Sequence, residues 1–425
     1  MTSNPFGFGA GGPDSGSGSG SGGDGGNEPA RSEGGAGFGI PEDIASKVPL
    51  FAELQKLMSW QGGPVNWDLA RQTAISQVAG GQGSVSAGER RAVEEAIRLA
   101  DLWLDPVTTL PSGVTHVEAW SRVEWIEKTL PVWSQLCDPI ASRVVAAMGQ
   151  ALPDQAQQMA GPMMGLLNQF GGMMFGAQVG QGMSSLAAEV LSSTDVGLPL
   201  APSGTAVLLP QNVAVFGRGL ERPDDEVRLF LALREAAHQR LFQHVPWLRQ
   251  RLLDTVDAYA RGINVDREAI NDAMLQLDPS NPESIQDALG GGMFQPQDTP
   301  EQTLALARLE TLLALVEGWV DHVVALATEG RLPGAVALRE TIRRRRASGG
   351  PAEQTFATLV GLELRPRRLR EASTLWSLLA VQRDSAGRDA LWAQVDLLPT
   401  AEDLDDPQAF VDRDDSAGPS MADLT

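Results

Sequence analysis

Between Pro223 and Phe242 apolar residues recur at helical spacing, yet two positions on the apolar face are not apolar. Val227, Phe230, Leu231 and Leu241 set the stripe; Arg234 and His238 stand in it, and Glu235 flanks it one turn from His238. A helix buried along this face carries a guanidinium into the core, where an unpaired charge is costly. The chain is therefore constrained to bring a carboxylate to the same place. Thr299-Pro-Glu-Gln302 is a capping box with proline at the first helical position, opening a helix from Pro300 to about Thr328. Its buried stripe runs through Leu306, Leu309, Leu313, Val316, Val320 and Val324, and Glu317 lies within or beside it.

Most of the remaining pattern is also helical. Asp43 to Met58 is amphipathic, Asn66 is a good N-cap, and Ser86 with Glu89 caps an amphipathic segment from Ala87 to Leu104. His116 to Leu130 reads as a helix carrying Trp120 and Trp125, with Pro131 as its boundary. Gly161 to Val190 is rich in Met and Gly and long enough to suggest a membrane span. Asn168, Gln169, Gln178 and Gln181 argue against that, because each amide is costly in hydrocarbon. Small residues at helical spacing instead predict a buried helix or hairpin that approaches its neighbours closely. Ala206 to Pro210 and Asn212 to Phe216 are short apolar runs that fit brief strands, one of them an edge because of Pro210. Pro223 with Asp224, Asp225 and Glu226 then starts the helix described above.

The expected fold is mainly α with a small β element. A Gly/Ser-rich leader over residues 1–40 is expected to be disordered, and an acidic stretch over 401–425 reads as a solvated tail. Between them, 41–400 forms a helical domain, with 41–200 and 201–400 as candidate lobes. Cys137 is the single cysteine, so there is no intramolecular disulfide and no Cys-rich zinc cluster. The first residues lack a basic run followed by an apolar one, which points to a cytoplasmic protein. A net charge of −21 argues against nucleic acid as a partner. The local run Arg343 to Arg346, with Arg365, Arg367, Arg368 and Arg370, reads as a solvated helix end and packing surface.

Arg234-Glu-Ala-Ala-His238 holds the second and fifth residues of His-Glu-x-x-His. That helical turn sets two imidazoles on a zinc ion beside a glutamate general base. Arg234 stands in the first position, and arginine has no lone pair to give a metal. Further residues extend the pattern: Asn66-Trp-Asp68 with Ala70-Arg71, Val117-Glu-Ala-Trp-Ser-Arg122, Phe242, Pro246-Trp-Leu248, Glu317-Gly-Trp-Val-Asp-His322 and Gly361-Leu-Glu-Leu-Arg-Pro-Arg-Arg368. In this order, over roughly Pro41 to Pro399, the chain resembles the zincin-like metallopeptidase family common in actinobacteria. Its members are labelled zinc-dependent metalloproteases, and one branch is labelled as associated with deazaflavin-cofactor biosynthesis; nothing in these residues supports that second label. The resemblance implies a zincin-like fold, with an active-site helix preceded by short edge strands, a zinc site and peptide-bond hydrolysis. It implies Glu235 as general base, His238 as a zinc ligand and Glu317 as a third ligand from a later helix.

Two functional readings follow. In the first, an active zinc peptidase, the metal activates a water and polarises the scissile carbonyl while Glu235 moves the proton. His244, six residues after His238, replaces the missing ligand by swinging back ahead of Pro246. In the second, a metal-free pseudo-peptidase, the Arg234 guanidinium takes the metal's place in a fork with Glu317 or Glu235. The protein then holds a peptide or protein in a cleft beside the edge strand, with neither nucleic acid nor membrane as a partner. The plain alternative is a surface charge cluster on an ordinary helix. His322 either holds a ligand from behind or is a satisfied histidine of a helix face. His116 reads as a structural or loop histidine.

Overall fold

A computed structural model describes residues 63–80, 83–150, 160–261, 299–347 and 368–416. The expected leader, the helix over Asp43 to Met58 and the motif over 361–367 lie outside the described residues. Helices α1 (Trp67–Val78) and α2 (Ala87–Leu104) begin at the caps their sequences announce. The Asn66 side chain accepts from Leu69 N, and Ser86 and Glu89 cap each other reciprocally. Strand β1 (His116–Ala119) leads into α3 (Arg122–Gln150), and α4 (Ala160–Glu189) follows. Strand β2 (Thr205–Leu208) and a short helix α5 (Pro210–Gly217) precede α6 (Asp224–His244), the helix with the interrupted stripe. Helices α7 (Leu248–Arg261), α8 (Pro300–Thr328), α9 (Ala335–Ala347), α10 (Leu369–Ala390), α11 (Ala401–Asp405) and α12 (Pro407–Ser416) complete the order.

The sheet is small and parallel: His116 pairs with Thr205, and Ala119 with Leu208. A parallel pair needs a long crossover, here supplied by α3 and α4. β2 is buried throughout, with β1 on one side and an antiparallel bridge from Ser192 to Leu208 on the other. It lies against α6, so the strand and the candidate helix share one interior.

Several elements differ from the expected ones. The segment expected as a helix from His116 breaks in two. His116–Ala119 is strand, and Ser121 with Glu124 restarts the helix, their backbone amides each bonded by the other's side chain. Pro131 is no boundary: α3 passes through Pro131 and Pro139, giving up the hydrogen bond each proline cannot make. The buried Trp125, Trp133 and Leu136 hold that helix in the core. The run over Asn212 to Phe216 is helix rather than strand. Pro210 occupies its first turn, and the Asn212 amide donates to the carbonyls of Ala187 and Val190. The stretch from Ala401 to Ser416 is folded, not a solvated tail. Thr400 and Asp403 form a capping box, and Leu404 and Val411 are fully buried. The candidate lobes do not separate, since one apolar cluster runs from Val65 to Val411.

The Met/Gly-rich segment is a single helix, and its small residues do what their spacing predicts. A Cβ at Gly176 would lie 2.6 Å from the Asn66 carbonyl oxygen, and one at Gly180 would lie 2.6 Å from that of Ala70. Only glycine lets α4 lie this close to α1. Among the described residues one helix, Pro300–Thr328, is long and apolar enough to cross a membrane, and most of its apolar side chains belong to the core.

Candidate functional site

Helix α6 is enclosed on nearly every side, and Phe230 through Leu241 are all buried. Its polar residues must therefore be satisfied from within. Arg234 donates from Nη2 to Glu317 Oε2 of α8 at 2.5 Å. His238 Nε2 lies 3.0 Å from Glu317 Oε1, and its Nδ1 lies 2.8 Å from the Arg234 carbonyl oxygen. Arg346 of α9 adds a further ion pair, Nη2 to Glu317 Oε1 at 2.9 Å. Glu317 is 0% exposed and His238 2%. Burial alone would push the Glu317 carboxyl up, but Arg346, His238 and Arg234 together hold it far below the ordinary range. The loop through Gly197 covers the cluster: a Cβ there would sit 3.2 Å from Leu313 and 3.8 Å from Glu317 Oε1.

Glu235 faces a different set of partners. Its Oε1 accepts from Ser193 Oγ at 2.6 Å, Val207 N at 3.2 Å and Gln239 Nε2 at 3.1 Å. Its Oε2 accepts from Thr194 Oγ at 2.6 Å. The carboxylate expected to serve as a base is thus buried and bonded to two hydroxyls, an amide and a backbone N–H of β2. Of the two forks open to Arg234, the structure forms the one with Glu317.

The other histidines are elsewhere. Helix α6 runs unbroken to His244, whose Nε2 lies 3.0 Å from the Ser112 carbonyl oxygen, so the chain does not swing it back toward His238. His322 faces α9 and α10 rather than the cluster, and its Nε2 is buried with no hydrogen-bond partner, so it is neither a support for a ligand nor a satisfied histidine. Burial, with Arg388 and Arg339 nearby, pushes its imidazole down to about 4. His116 is exposed on β1 beside Thr115 Oγ. The surface-cluster alternative for Arg234, Glu235 and His238 does not hold, because all three are buried.

What sequence reading missed is that the arginine run binds buried carboxylates. Arg343 binds Asp321 together with Arg339, and Arg345 binds Asp195 and the Glu189 carbonyl oxygen. With Arg346 on Glu317, three of the four arginines make the run the packing surface expected of it, while Arg344 stays in solvent on Glu340. A signal existed: Arg339, Arg343 and Arg346 fall at i, i+4, i+7, and Glu317 and Asp321 at i, i+4. Two carboxylates on one helix match a ladder of guanidinium groups on the next.

A zinc ion does not fit these residues. A zincin site takes three protein donors and a water. Here His238 and Glu317 supply two donors, and two guanidinium groups already bind the carboxylate. Among the described residues no group of three or more His, Cys, Asp or Glu side chains is placed to hold a metal.

The family model for the zincin-like metallopeptidases matches residues 65–411, most of the chain. The chain belongs to the zincin-like metallopeptidase family. A crystal structure from Chloroflexus aurantiacus, described as that of a candidate hydrolase with a novel fold, superposes with a TM-score of 0.58. The two are 22% identical, and the match covers 83% of this chain and 100% of the other, which shows a shared fold. No curated protein matches. Many residues that carried the zincin-like resemblance prove to be structural pairs in this member. Trp67 Nε1 donates to Asp138 Oδ1 at 2.9 Å, Arg122 Nε to Asn212 Oδ1 at 2.8 Å, and Trp319 Nε1 to Asp389 Oδ1 at 2.9 Å.

Proposed function

We propose that this member of the zincin-like family is a metal-free pseudo-peptidase that works by binding a peptide or protein rather than by cleaving one. The observation that carries this reading is the coordination of Glu317 by Arg234, Arg346 and His238. Fixed cationic groups stand where an active relative would place zinc, so the buried carboxylate is satisfied without a metal. Hydrolysis by a zincin mechanism needs a free base and an activated water. Glu235 has its oxygens bonded by four donors, and His244 is held at Ser112. A binding role is supported by β1, a sheet-edge strand whose one strand partner among the described residues is β2, the kind of element to which an extended peptide adds.

The test is metal content by elemental mass spectrometry on protein purified without an affinity tag or chelator, before and after zinc is offered. The expected result is no retained zinc, whereas about one zinc per chain overturns the reading. Arg234→His alone should gain little, because Arg346 still occupies Glu317; combining it with Arg346→Ala should create zinc binding. Failure of the double variant to take up metal while still folded would remove the idea that the cluster replaces a metal.

A further inference from the structure

A cleft of about 420 Å³ opens where the C-terminal half of α8 meets α9 and α10. One wall is apolar, formed by Phe230, Leu326 and Val336, the last two exposed to it. The polar side is formed by His322, Arg339 and Ser377. His322 is 6% exposed, and its Nε2 is enclosed without a hydrogen-bond partner. A buried ring nitrogen left unbonded keeps its desolvation penalty unless something supplies the bond.

Arg339 points to what that is. Its Nε and Nη2 donate to Asp321 and to Ser373 Oγ. A guanidinium has five N–H groups, so the pair on Nη1 remains for a ligand. Arg343 shares the same Asp321 carboxylate, so two positive charges face one negative charge. The exposed Glu329 lies at the mouth, in solvent. The polar side of the cleft thus presents unused donors and an excess of positive charge beside an apolar wall.

We propose that this cleft binds a small carboxylate with an apolar body, the carboxylate meeting Arg339 Nη1 and the His322 ring and the body lying on Phe230, Leu326 and Val336. Without a ligand His322 is neutral at pH 7, held down by burial, Arg388 and Arg339 against the opposing pull of Asp321 and Asp389. A bound carboxylate adds negative charge next to the ring and favours its protonated form. Affinity therefore rises as pH falls from neutral and levels off near about 4, where the unliganded ring also takes up its proton. The carboxylate belongs either to a free acid or to the end of a peptide chain, and different probes separate the two.

The whole protein is titrated with benzoate and with N-acetylleucine while the imidazole NMR signals of its four histidines are followed. The expected result is a saturable shift of the His322 signals alone, at least about tenfold tighter for the acid than for benzamide or N-acetylleucine amide, a difference of about 1.4 kcal/mol. Tighter binding of N-acetylleucine assigns a chain terminus, and tighter binding of benzoate assigns a free acid. Arg339→Lys, which keeps the charge facing Asp321 but removes the Nη1 donors, should weaken binding by a similar factor. No shift at His322, or amides that bind as well as acids in the wild-type protein, overturns the proposal whatever the variant does.

Discussion

Removing the Glu317 carboxyl takes from the buried Arg234 the carboxylate it pairs with, and from Arg346 one of its partners. Breaking one side of a buried pair costs about 3–5 kcal/mol, and Arg234 is left on that side, so Glu317→Ala should lose about that much. Denaturant unfolding reads the loss, and a change within error would show that the cluster contributes nothing to stability. The same group sets an acid limit. Its folded carboxyl is held below the unfolded value, so its contribution is present in full above about pH 4.5 and is lost as pH falls toward the lowered folded value. Glu317→Gln should flatten that part of the stability profile; a profile as steep as that of the wild type would assign the acid sensitivity to other carboxylates.

Contacts between helices depend on positions where no side chain fits. Gly318, next to the central carboxylate, faces α10: a Cβ there would lie 2.6 Å from the Ala372 Cβ and 2.8 Å from backbone. Alanine is about 1 kcal/mol better than glycine in a helix interior, yet the clash falls on backbone that cannot yield. Gly318→Ala should therefore destabilise by about 1–3 kcal/mol, and a thermal melt at or above the wild-type value would mean that α8 and α10 have room to part. At this scale the sequence was legible wherever the signal was local. Asn66, Ser86 and Thr299 cap their helices as their neighbours predict. It was illegible where tertiary packing overrode propensity: Pro131 sits inside α3, and Asn212 turns inward because two carbonyls at the end of α4 need a donor. The candidate site was half legible. Arg234, His238 and Glu317 are visible on apolar stripes, but Arg346 lies on a polar helix whose inward face only its partners on α8 reveal.

At the scale of the whole molecule, a chain of net charge −21 buries arginines together with carboxylates among its described residues. Arg234, Arg240, Arg346 and Arg388 are each at most 6% exposed, and each meets a carboxylate. The core is thus held together by internal cations that no solution condition removes, since arginine stays charged at any working pH. Stability should accordingly not depend on metal. Adding a chelator or excess zinc should leave Tm unchanged, whereas a protein with a native zinc site gains stability with ligand concentration. A rise in Tm with zinc would contradict the charge balance described for Glu317.

The three-way meeting at Glu317 also bears on the order in which the chain can fold. Its partners come from α6, 83 residues earlier, and from α9, across a turn. A partly folded state that buries α8 against one of these helices alone still pairs the Glu317 carboxylate, but with one guanidinium instead of two. Such a state forgoes a charge-assisted hydrogen bond that the native arrangement holds. The cluster therefore acts as a clasp: whichever of α6 and α9 docks second on α8 gains a bond to a carboxylate already in place, and amide protons deep in these helices are expected to exchange slowly.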